Sequence, residues 1–327
     1  MRRLLAQLGV AVVAFAAFFA ALAGYGWHLY QQPRDGAGDD IRIVVGAGGG
    51  VRSVAAELEA VGAIGSRWVF LLGSRLEGFD RRLRAGEYLL PANASPAEIA
   101  TMMVEGRTVV RKLTVAEGLL SSQILDVLAN AEGLQGEIAE IPPEGSLLPE
   151  TYHYSWGDRR ADIVARMQQS MQETLASLWP TRAAELPFAT PEEAVILASI
   201  VEKETGVAAE RPEIAGVFVN RLRKGMRLQS DPTVAYGITE GKAPLGRPLS
   251  RADLRDANAY NTYVIDGLPP GPIANPGRAS IAAVLNPATT SNFYFVADGS
   301  GGHAFSETLN GHLRNVREWR KLQRQSQ

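Results

Sequence analysis

The sequence predicts an α+β protein with an N-terminal transmembrane helix, a small α+β module after it, and then a larger, mainly helical α+β domain. Three observations support this fold class. The chain opens with a long apolar run, short β-branched segments alternate with amphipathic helices up to Val115, and helical periodicity dominates from Ser121 onward. The 327 residues are enough for two or three domains.

The first 30 residues predict one membrane-spanning helix over residues 8–30. No charged side chain occurs between Arg3 and Arg34, and a run of about 20 apolar residues is what crosses a bilayer as a helix. Three aromatic residues cluster at its far end, where a membrane interface is expected: Tyr25, Trp27 and Tyr30. Arg2 and Arg3 predict that residues 1–7 are cytoplasmic and that the rest of the chain is exported.

A cleaved signal peptide is the alternative for this segment. The sequence Ala21-Leu22-Ala23 fits the small-residue pattern of a cleavage site. Because the apolar run continues past that site, a retained anchor is favoured. Both interpretations export the remainder of the protein.

The segment after the anchor predicts a linker and a small module. Residues 31–40 are polar and rich in Gly and Asp, as in a juxtamembrane linker. Ser95, Pro96 and Glu98 have the spacing of a capping box at the start of a helix. The other predicted elements of residues 41–115 are the strands Ile41–Val45, Glu87–Leu90 and Thr108–Val115 and the helices Val51–Ala63 and Ser66–Leu76. The pattern fits either a binding module or a purely structural domain.

Residues 116–327 form the predicted larger domain. Thr190 and Glu193 form a second capping box around Pro191, and Gly206 is the expected stop of that helix. The other predicted elements are the helices Ala161–Trp179, Pro212–Arg223, Ser280–Leu285 and Leu313–Gln323 and the strand Asn292–Val296.

Composition excludes several kinds of function. The chain has no cysteine, which rules out thiol catalysis, Cys-ligated zinc and disulfides. Its four histidines lack metal-ligand spacing, so we expect no metal site. A formal net charge of −2 gives no electrostatic signature of a nucleic-acid partner.

The helix that begins at Pro191 ends in charge, in the stretch "ASIVEKETG". Glu202 continues an apolar face of the helix, formed by Val195, Ala198 and Ser199. Partial burial, the negative end of the helix dipole and nearby Glu204 all favour a protonated carboxyl, although Lys203 could oppose them. Glu202 is therefore a candidate general acid. The alternative is a solvated surface, on which such charge patterns are common.

Polar and aromatic residues gather on the loops that follow. They are Asn220, Gln229, Asp231, Thr233, Tyr236, Tyr260, Asn261 and Tyr263. Amides pair with hydroxyl and acetamido groups, and aromatic rings cover apolar sugar faces, so the cluster suits a sugar polymer. Ordinary loop chemistry is the alternative, and Asp231 before Pro232 also fits a helix N-cap.

Five long motifs identify a resemblance. They are "LASIVEKETG", "VFVNRL", "MRLQSDPTVAYG", "AYNTYVIDGLPPGPIANPG" and "FYFVADGSGGHAF". Together they resemble the MltG (YceG-like) family of endolytic murein transglycosylases, from about Ile41 to the C-terminal helix. The resemblance implies a single-span anchor in the bacterial inner membrane, a LysM-like module at residues 41–115 and a periplasmic catalytic domain at residues 116–327.

The resemblance also implies a site and a reaction. The family's catalytic glutamate, the first of "VEKET", corresponds to Glu202. The stretch "PEGSLLPETY" matches a second family pattern, which implies that Glu144, Pro149, Thr151 and Tyr152 lie near the cleft. The implied reaction cleaves MurNAc–GlcNAc bonds of nascent glycan strands and forms 1,6-anhydro-MurNAc ends without a cofactor. Peptidoglycan is the implied substrate, and peptidoglycan synthases are implied partners.

Two other functions remain open from the sequence. A hydrolytic muramidase would use a second carboxylate, with Asp231 or Glu150 as candidates, to activate water. A non-catalytic envelope protein would bind glycan with the same loops. The products separate these functions: anhydro ends indicate a transglycosylase, free reducing ends a hydrolase, and no product a binding protein.

Overall fold

The computed structural model describes residues 2–34, 38–46 and 48–325. Residues 35–37 of the predicted linker lie outside the described part, as do the side chains of Arg2 and Arg3, on which the predicted topology depends. The chain divides into two compact units. The first contains residues up to Arg111 together with Glu132–Gln135 and His153–Asp158, and the second contains the remainder.

The first unit begins with helix α1, Arg2–Gln31. Its segment Gln7–Gln31 is long and apolar enough to cross a membrane, a property that signal sequences share, and none of its most apolar window is buried inside the molecule. The last turn differs from the rest because Tyr30 is fully buried and packs into the core of the unit. The predicted apolar helix is therefore present, and its end belongs to the folded module.

The rest of this unit is a small α+β arrangement. Its elements are β1 (Ile41–Val45), α2 (Val51–Ala60), α3 (Arg67–Leu76), β2 (Gly86–Leu90) and α4 (Pro96–Glu105). Strands β1 and β2 pair antiparallel, with Ile43 opposite Tyr88. The predicted capping box opens α4: Ser95 Oγ accepts from the backbone of Glu98, and the Glu98 carboxylate accepts from the backbone of Ser95.

A buried carboxylate explains why short distant segments join the first unit. Glu87 is only 1% exposed and forms ion pairs with Arg42 and Arg111. Arg111 keeps the pKa of Glu87 below its ordinary value, and it also pairs with Glu132. The Arg111 guanidinium lies 5.1 Å from the ring of Trp156. These contacts join residues 132–135 and 153–158 to the part of the unit that precedes Lys112.

The second unit is mainly helical. Its helices are α5 (Ser121–Ala129), α6 (Arg160–Leu178), α7 (Pro191–Glu204), α8 (Arg211–Arg223), α9 (Asp231–Thr239), α10 (Arg278–Leu285) and α11 (Leu309–Gln325). Helices α7, α8 and α10 pack together around the core, which includes Leu197, Phe218 and Ile281.

Two small sheets complete the architecture. Strands β5 (Tyr294–Ala297) and β6 (His303–Ser306) form an antiparallel hairpin in the second unit. Strands β3 (Val110–Thr114) and β4 (Thr151–Ser155) also pair with each other. The sequence predicted β1, β2, β3 and β5 but missed β4 and β6. Strand β4 pairs with the distant β3, and β6 pairs with β5 across a turn, which no local pattern shows.

Candidate active site

Helix α7 carries Glu202 through the core of the second unit. Thr190 Oγ1 accepts from the backbone of Glu193, and the Glu193 carboxylate accepts from the backbone of Thr190, so the predicted capping box is present. The helix then buries nearly every residue from Ala194 to Val201. It ends at Glu204, followed by the extended residue Thr205. The charged residues from Glu202 to Glu204 therefore lie at the point where α7 emerges from this core.

The carboxylate of Glu202 is held by groups from two other helices. Its Oε1 accepts from Nη2 of Arg211 at 3.1 Å, and its Oε2 accepts from the backbone N–H of Gly277 at 2.9 Å. Arg211 is the first residue of α8, and Gly277 is the N-cap of α10. Both helix starts favour a negative charge, and the Glu202 side chain is only 4% exposed. These cationic and dipolar neighbours lie 9 and 75 positions from Glu202 in the sequence, beyond the reach of a local helix pattern.

A second carboxylate shares the same guanidinium. Glu117 Oε2 accepts from Nη2 of Arg211 at 2.9 Å, while Glu202 accepts from that nitrogen at 3.1 Å. Their two bound oxygens are therefore no more than about 6 Å apart, the sum of these distances. Burial and the charge of Glu202 raise the pKa of Glu117, although Arg211 opposes this shift. Glu117, Glu202 and Arg211 are called the carboxylate cluster below.

Two glycines let the backbone approach this cluster. A Cβ atom added at Gly277 would lie 1.8 Å from Oε1 of Glu117, so any side chain there displaces that carboxylate. Gly118 has a φ of +74°, and an added Cβ would lie 3.4 Å from Cγ of Glu202. Lys203 crosses the same loop and donates from Nζ to the carbonyl oxygen of Gly118 at 3.2 Å.

Glu204 contacts a different set of neighbours, as its position about 200° around the helix from Glu202 predicts. Its carboxyl group accepts from the hydroxyl of Ser230, the N-cap of α9. Burial raises the pKa of Glu204 to about 7 and the charge of Asp231 adds to this, while the Ser230 hydrogen bond opposes the shift. Glu204 therefore bonds the start of α9, whereas Glu202 bonds Arg211 and Gly277.

The Glu144 side chain contacts the first residue of α5, although Glu144 follows that residue by 23 positions in the sequence. Its carboxylate accepts from the backbone N–H of Ser121 at 3.0 Å and from Nδ2 of Asn275 at 3.1 Å. Burial raises its pKa, against the opposing donors of Ser121. Asn275 is fully buried and also exchanges backbone hydrogen bonds with the 118–119 segment. It therefore connects Glu144 to the loop that carries Glu117.

Several predicted substrate residues use their polar groups inside the fold. Tyr152 donates to the carbonyl of Leu148, and Asn220 donates to the carbonyls of Thr290 and Asn292. Thr233 and Asn261 are fully buried; the former bonds Ser230 and Thr262, and the latter donates to the carbonyls of Asp253 and Asp256. Because these groups are already paired, any role in glycan binding would be in shaping the loops.

The remaining predicted residues are more accessible. Exposed Thr151 pairs its hydroxyl with Thr114 across the β3–β4 sheet, and Gln229 is exposed with a φ of 52°. The rings of Tyr236 and Tyr260 lie 4.8 Å apart. Each of these residues keeps part of its surface exposed.

Asp231 is not a helix N-cap, which corrects that interpretation. It is the first residue of α9, and Ser230 holds the cap position. The Asp231 carboxylate instead accepts from the hydroxyl of Tyr263 at 2.6 Å. A contact between side chains 32 positions apart therefore replaces the local cap that the Asp-Pro pair suggested.

A cavity of about 620 Å³ lies in the second unit beside the end of α7. Lys203, Asp231 and Tyr236 line it, together with the segment 243–249 and residues of α9. The structure thus brings two predicted substrate residues to one cavity that the neighbour of Glu202 also lines. Within the described ranges, no three His, Asp or Glu side chains come together as a metal site requires.

Sequence reasoning missed four residues of the site: Glu117, Arg211, Asn275 and Gly277. Asn275 and Gly277 lie inside the motif "AYNTYVIDGLPPGPIANPG", whose Pro-Gly pattern predicts only a loop. Glu117 precedes Gly118 in the loop that follows β3. An acidic residue next to a glycine in such a loop is a signal for a functional loop. Arg211 follows α7 by seven positions and carried no distinguishing pattern.

Comparison with known proteins identifies the family. The sequence profile of the YceG-like family matches residues 43–318. The chain is 28% identical to a protein of Streptococcus pneumoniae serotype 2 (strain D39) named endolytic murein transglycosylase; the match covers 94% of this chain but only 64% of that relative. A Bacillus subtilis (strain 168) protein of the same name is also 28% identical, with 88% of this chain and 87% of that protein covered.

A solved structure supports the same assignment. The crystal structure of a yceG-like protein from Listeria monocytogenes superposes with a TM-score of 0.52 at 28% identity, and the match covers 84% of this chain and 99% of that one. The profile match extends over far more than half of the sequence. The chain therefore belongs to the YceG-like family.

Proposed function

We propose that this protein is an endolytic peptidoglycan lytic transglycosylase that cleaves MurNAc–GlcNAc bonds and leaves 1,6-anhydro-MurNAc ends. The carboxylate cluster in a YceG-like chain is the observation that carries this proposal. Two glutamates share one arginine at the end of α7. Lys203, the neighbour of Glu202, lines the cavity of about 620 Å³ that we assign to the glycan. The names of its relatives support the murein substrate.

The excess negative charge of the cluster favours the binding of one proton. Two ionised carboxylates against one guanidinium leave one negative charge uncompensated, so a single proton neutralises the set. Burial and the charge of Glu202 raise the pKa of Glu117, so Glu117 retains a proton more readily than an isolated carboxyl does. We assign the proton to Glu202 when the glycan is bound, with Glu117 as the neighbouring carboxylate that exchanges it.

The reaction then proceeds without water. Glu202 donates its proton to the glycosidic oxygen, and the electron pair of the breaking C1–O bond leaves with the GlcNAc unit. The 6-hydroxyl oxygen of MurNAc bonds to C1, and its proton passes to the carboxylate pair, which restores the starting state. An intramolecular nucleophile has a large effective concentration, so neither a bound water nor a cofactor is required.

The spacing of the two bound oxygens argues against an inverting hydrolase but not against a retaining one, whose carboxyl groups lie about 5–5.5 Å apart. Inverting glycosidases place their carboxyl groups about 6.5–9.5 Å apart to admit a water molecule. Here the bound oxygens of Glu117 and Glu202 lie within about 6 Å, with Arg211 between them. Asp231, one of the two carboxylates considered for a hydrolase, bonds Tyr263 instead of this cluster. Hydrolysis and non-catalytic glycan binding remain the alternatives that the products distinguish.

The test is cleavage of peptidoglycan by the full chain and its Glu202→Gln variant, with mass spectrometry of the products. Gln is nearly isosteric but has no proton to donate, so we expect a loss of about 10²–10⁴-fold with the fold retained. Glu192→Gln is the matched control, because it makes the same change at an exposed position in the first turn of α7.

The outcomes discriminate between the candidate functions. Anhydro ends from the unmodified chain and from Glu192→Gln, with none from a folded Glu202→Gln, support the proposal. Free reducing ends would indicate a muramidase. Near-native product release by Glu202→Gln would show that Glu202 is not the general acid. If no variant releases product, the protein binds glycan without cleaving it.

The same proposal extends to location and partners. We propose that α1 is a retained single-pass anchor in the inner membrane and that the remainder is periplasmic. The α+β module of the first unit is then a LysM-like glycan-binding element, and the enzyme acts near peptidoglycan synthases on new strands. Retention in the membrane fraction through high salt and carbonate supports the anchor, whereas a soluble mature chain starting at Gly24 refutes it.

A further inference from the structure

Helix α3 carries an exposed apolar stripe. Trp68, Leu72 and Leu76 are spaced four residues apart, so they share one face of the helix. Their exposed fractions are 64%, 63% and 72%, although each is a large apolar side chain. The inward positions of the helix, Phe70 and Gly73, are fully buried. This stripe therefore does not contribute to the core of the unit, and exposed apolar patches of this kind mark interaction sites.

The stripe adjoins the apolar surface of α1. A Cβ atom added at Gly73 would lie 2.3 Å from the Tyr30 ring, so the end of α1 rests directly on α3. An apolar cavity of about 320 Å³ lies between the two helices, lined by the Leu22–Tyr30 segment on one side and by Trp68, Leu72 and Leu76 on the other. The outward faces of the two helices thus form one continuous apolar surface.

The length of the span indicates the depth at which α3 lies. At 1.5 Å per residue, the 25-residue segment Gln7–Gln31 is about 37 Å long. The hydrocarbon core is about 30 Å thick, so roughly 7 Å at one end belongs to the headgroup region. Trp27, which is 41% exposed, is the interfacial residue at that end, and its ring lies 5.5 Å from that of buried Tyr30. Because α3 is fixed against Tyr30, it lies at the same depth.

The charge of the surrounding segment fits an anionic lipid surface. Residues 67–84 contain five exposed arginines and only two acidic residues, Glu77 and Asp80. The arginines are Arg67, Arg75, Arg81, Arg82 and Arg84. Arg67 lies over the ring of Trp68 at 5.4 Å, so one side-chain pair combines an aromatic and a cationic group. Interfacial helices have this composition, with Trp and Leu on one face and basic residues beside it.

We propose that α3 is a membrane-interfacial helix whose Trp68, Leu72 and Leu76 insert into the anionic phospholipid leaflet from which α1 emerges. This inference rests on the proposed membrane span of α1. Two adjoining contacts, the span and the stripe, then hold the first unit directly on the bilayer surface. The unit does not move freely on a tether, and its height above the membrane is set by the Tyr30–Gly73 contact.

The absence of natural cysteines permits a direct test. The full chain is reconstituted in vesicles of phosphatidylethanolamine and phosphatidylglycerol, with one spin-labelled cysteine in each variant. Leu72→Cys reports the stripe, and Leu89→Cys is the matched control at an exposed leucine on β2 of the same unit. Val13→Cys reports the interior of α1. Collisions with oxygen indicate lipid, and collisions with a water-soluble nickel chelate indicate water.

We expect Leu72 and Val13 to favour oxygen and Leu89 to favour the nickel chelate. If Leu72 reports water while Val13 reports lipid, the inference about α3 is wrong and the span stands. If Leu72 is shielded from both reagents, another protein surface covers the stripe, which also overturns the proposal. If Val13 itself reports water, the span is wrong and the inference falls with it. Circular dichroism confirms that each variant is folded.

Discussion

Arg211 is the residue that joins buried Glu202 to exposed Glu117. Its side chain is 12% exposed, and one of its nitrogens contacts both Glu117 and Glu202. Without a cation, two carboxylates this close would repel each other, and one would be forced to stay protonated. Arg211 lies between the two carboxylates and opposes this repulsion.

Gly277 controls the geometry of that pair. A Gly277→Ala substitution places a methyl group where the Glu117 carboxylate now lies, and the flexible end of Glu117 moves aside. We expect the melting temperature to change little, since Gly277 is a helix N-cap with an extended backbone that alanine can adopt. Cleavage should fall by at least about tenfold, because small displacements of catalytic groups are costly.

The control for this variant is Gly206→Ala, near the end of α7. An added Cβ at Gly206 meets nothing within 4 Å, so both fold and cleavage should be retained. Parallel measurements of product release and thermal unfolding separate the two effects. Full activity of Gly277→Ala would show that the position of Glu117 does not matter to the reaction.

At the scale of elements, the site is a meeting of helix ends. Helix α7 ends at Glu204, α8 begins at Arg211, and α10 begins after Gly277. The start of α10 donates the backbone N–H of Gly277 to Glu202, and the start of α8 provides the Arg211 side chain. This arrangement stabilises α7 in spite of two glutamates in its last turn. It also fixes Glu202 on rigid elements, while Glu117 comes from a loop.

Glu204 joins the end of α7 to the start of α9 and should make stability depend on pH. Its pKa rises from an ordinary 4.5 to about 7 in the folded protein. Between these values the folded state keeps a proton that the unfolded chain has lost. The contribution of Glu204 to stability is therefore greatest below about pH 4.5 and falls as the pH rises through 7, by up to about 3 kcal/mol.

The variant Glu204→Gln removes this titration. We expect the free energy of unfolding of the unmodified chain to drop relative to the variant between pH 5 and pH 8, measured by urea denaturation. Glu192→Gln, an exposed substitution on the same helix, should show no such difference. Parallel stability curves for Glu204→Gln and the unmodified chain would mean that the buried carboxyl does not hold its proton. Cleavage by Glu204→Gln should fall far less than by Glu202→Gln.

At the scale of the whole molecule, α1 is both a candidate anchor and a part of the first unit. Tyr30 is fully buried and donates its hydroxyl to Glu77 at 2.9 Å. Removing the anchor by cutting after Gln31 would therefore also remove a core side chain. A cut after Ala23 would leave Tyr30 and the last turns of α1 in place.

These two truncations should differ in stability. Loss of a large buried aromatic side chain costs about 3–5 kcal/mol, so we expect the variant lacking residues 1–31 to unfold at lower urea concentration than the variant lacking residues 1–23. The signal is the transition of the first unit, followed by tryptophan fluorescence. Equal midpoints would show that Tyr30 contributes nothing to the unit once the anchor is gone.

Local sequence determined the apolar helix, most helix positions and both capping boxes, because each depends on residues only three or four positions apart. The same logic put Glu202 at the end of a buried helix. The family motifs then pointed to a glycan-cleaving site, since they are long stretches of contiguous sequence.

Only the tertiary structure decided which groups surround Glu202. Arg211 and Glu117 are 94 positions apart, and Gly277 is 75 positions from Glu202. No local pattern links such residues, because their approach depends on how α7, α8 and α10 pack. For the same reason the Asp231 carboxylate bonds Tyr263 and does not cap a helix, and Glu204 faces Ser230. The chemistry of the site lies in contacts that exist only after the core has assembled.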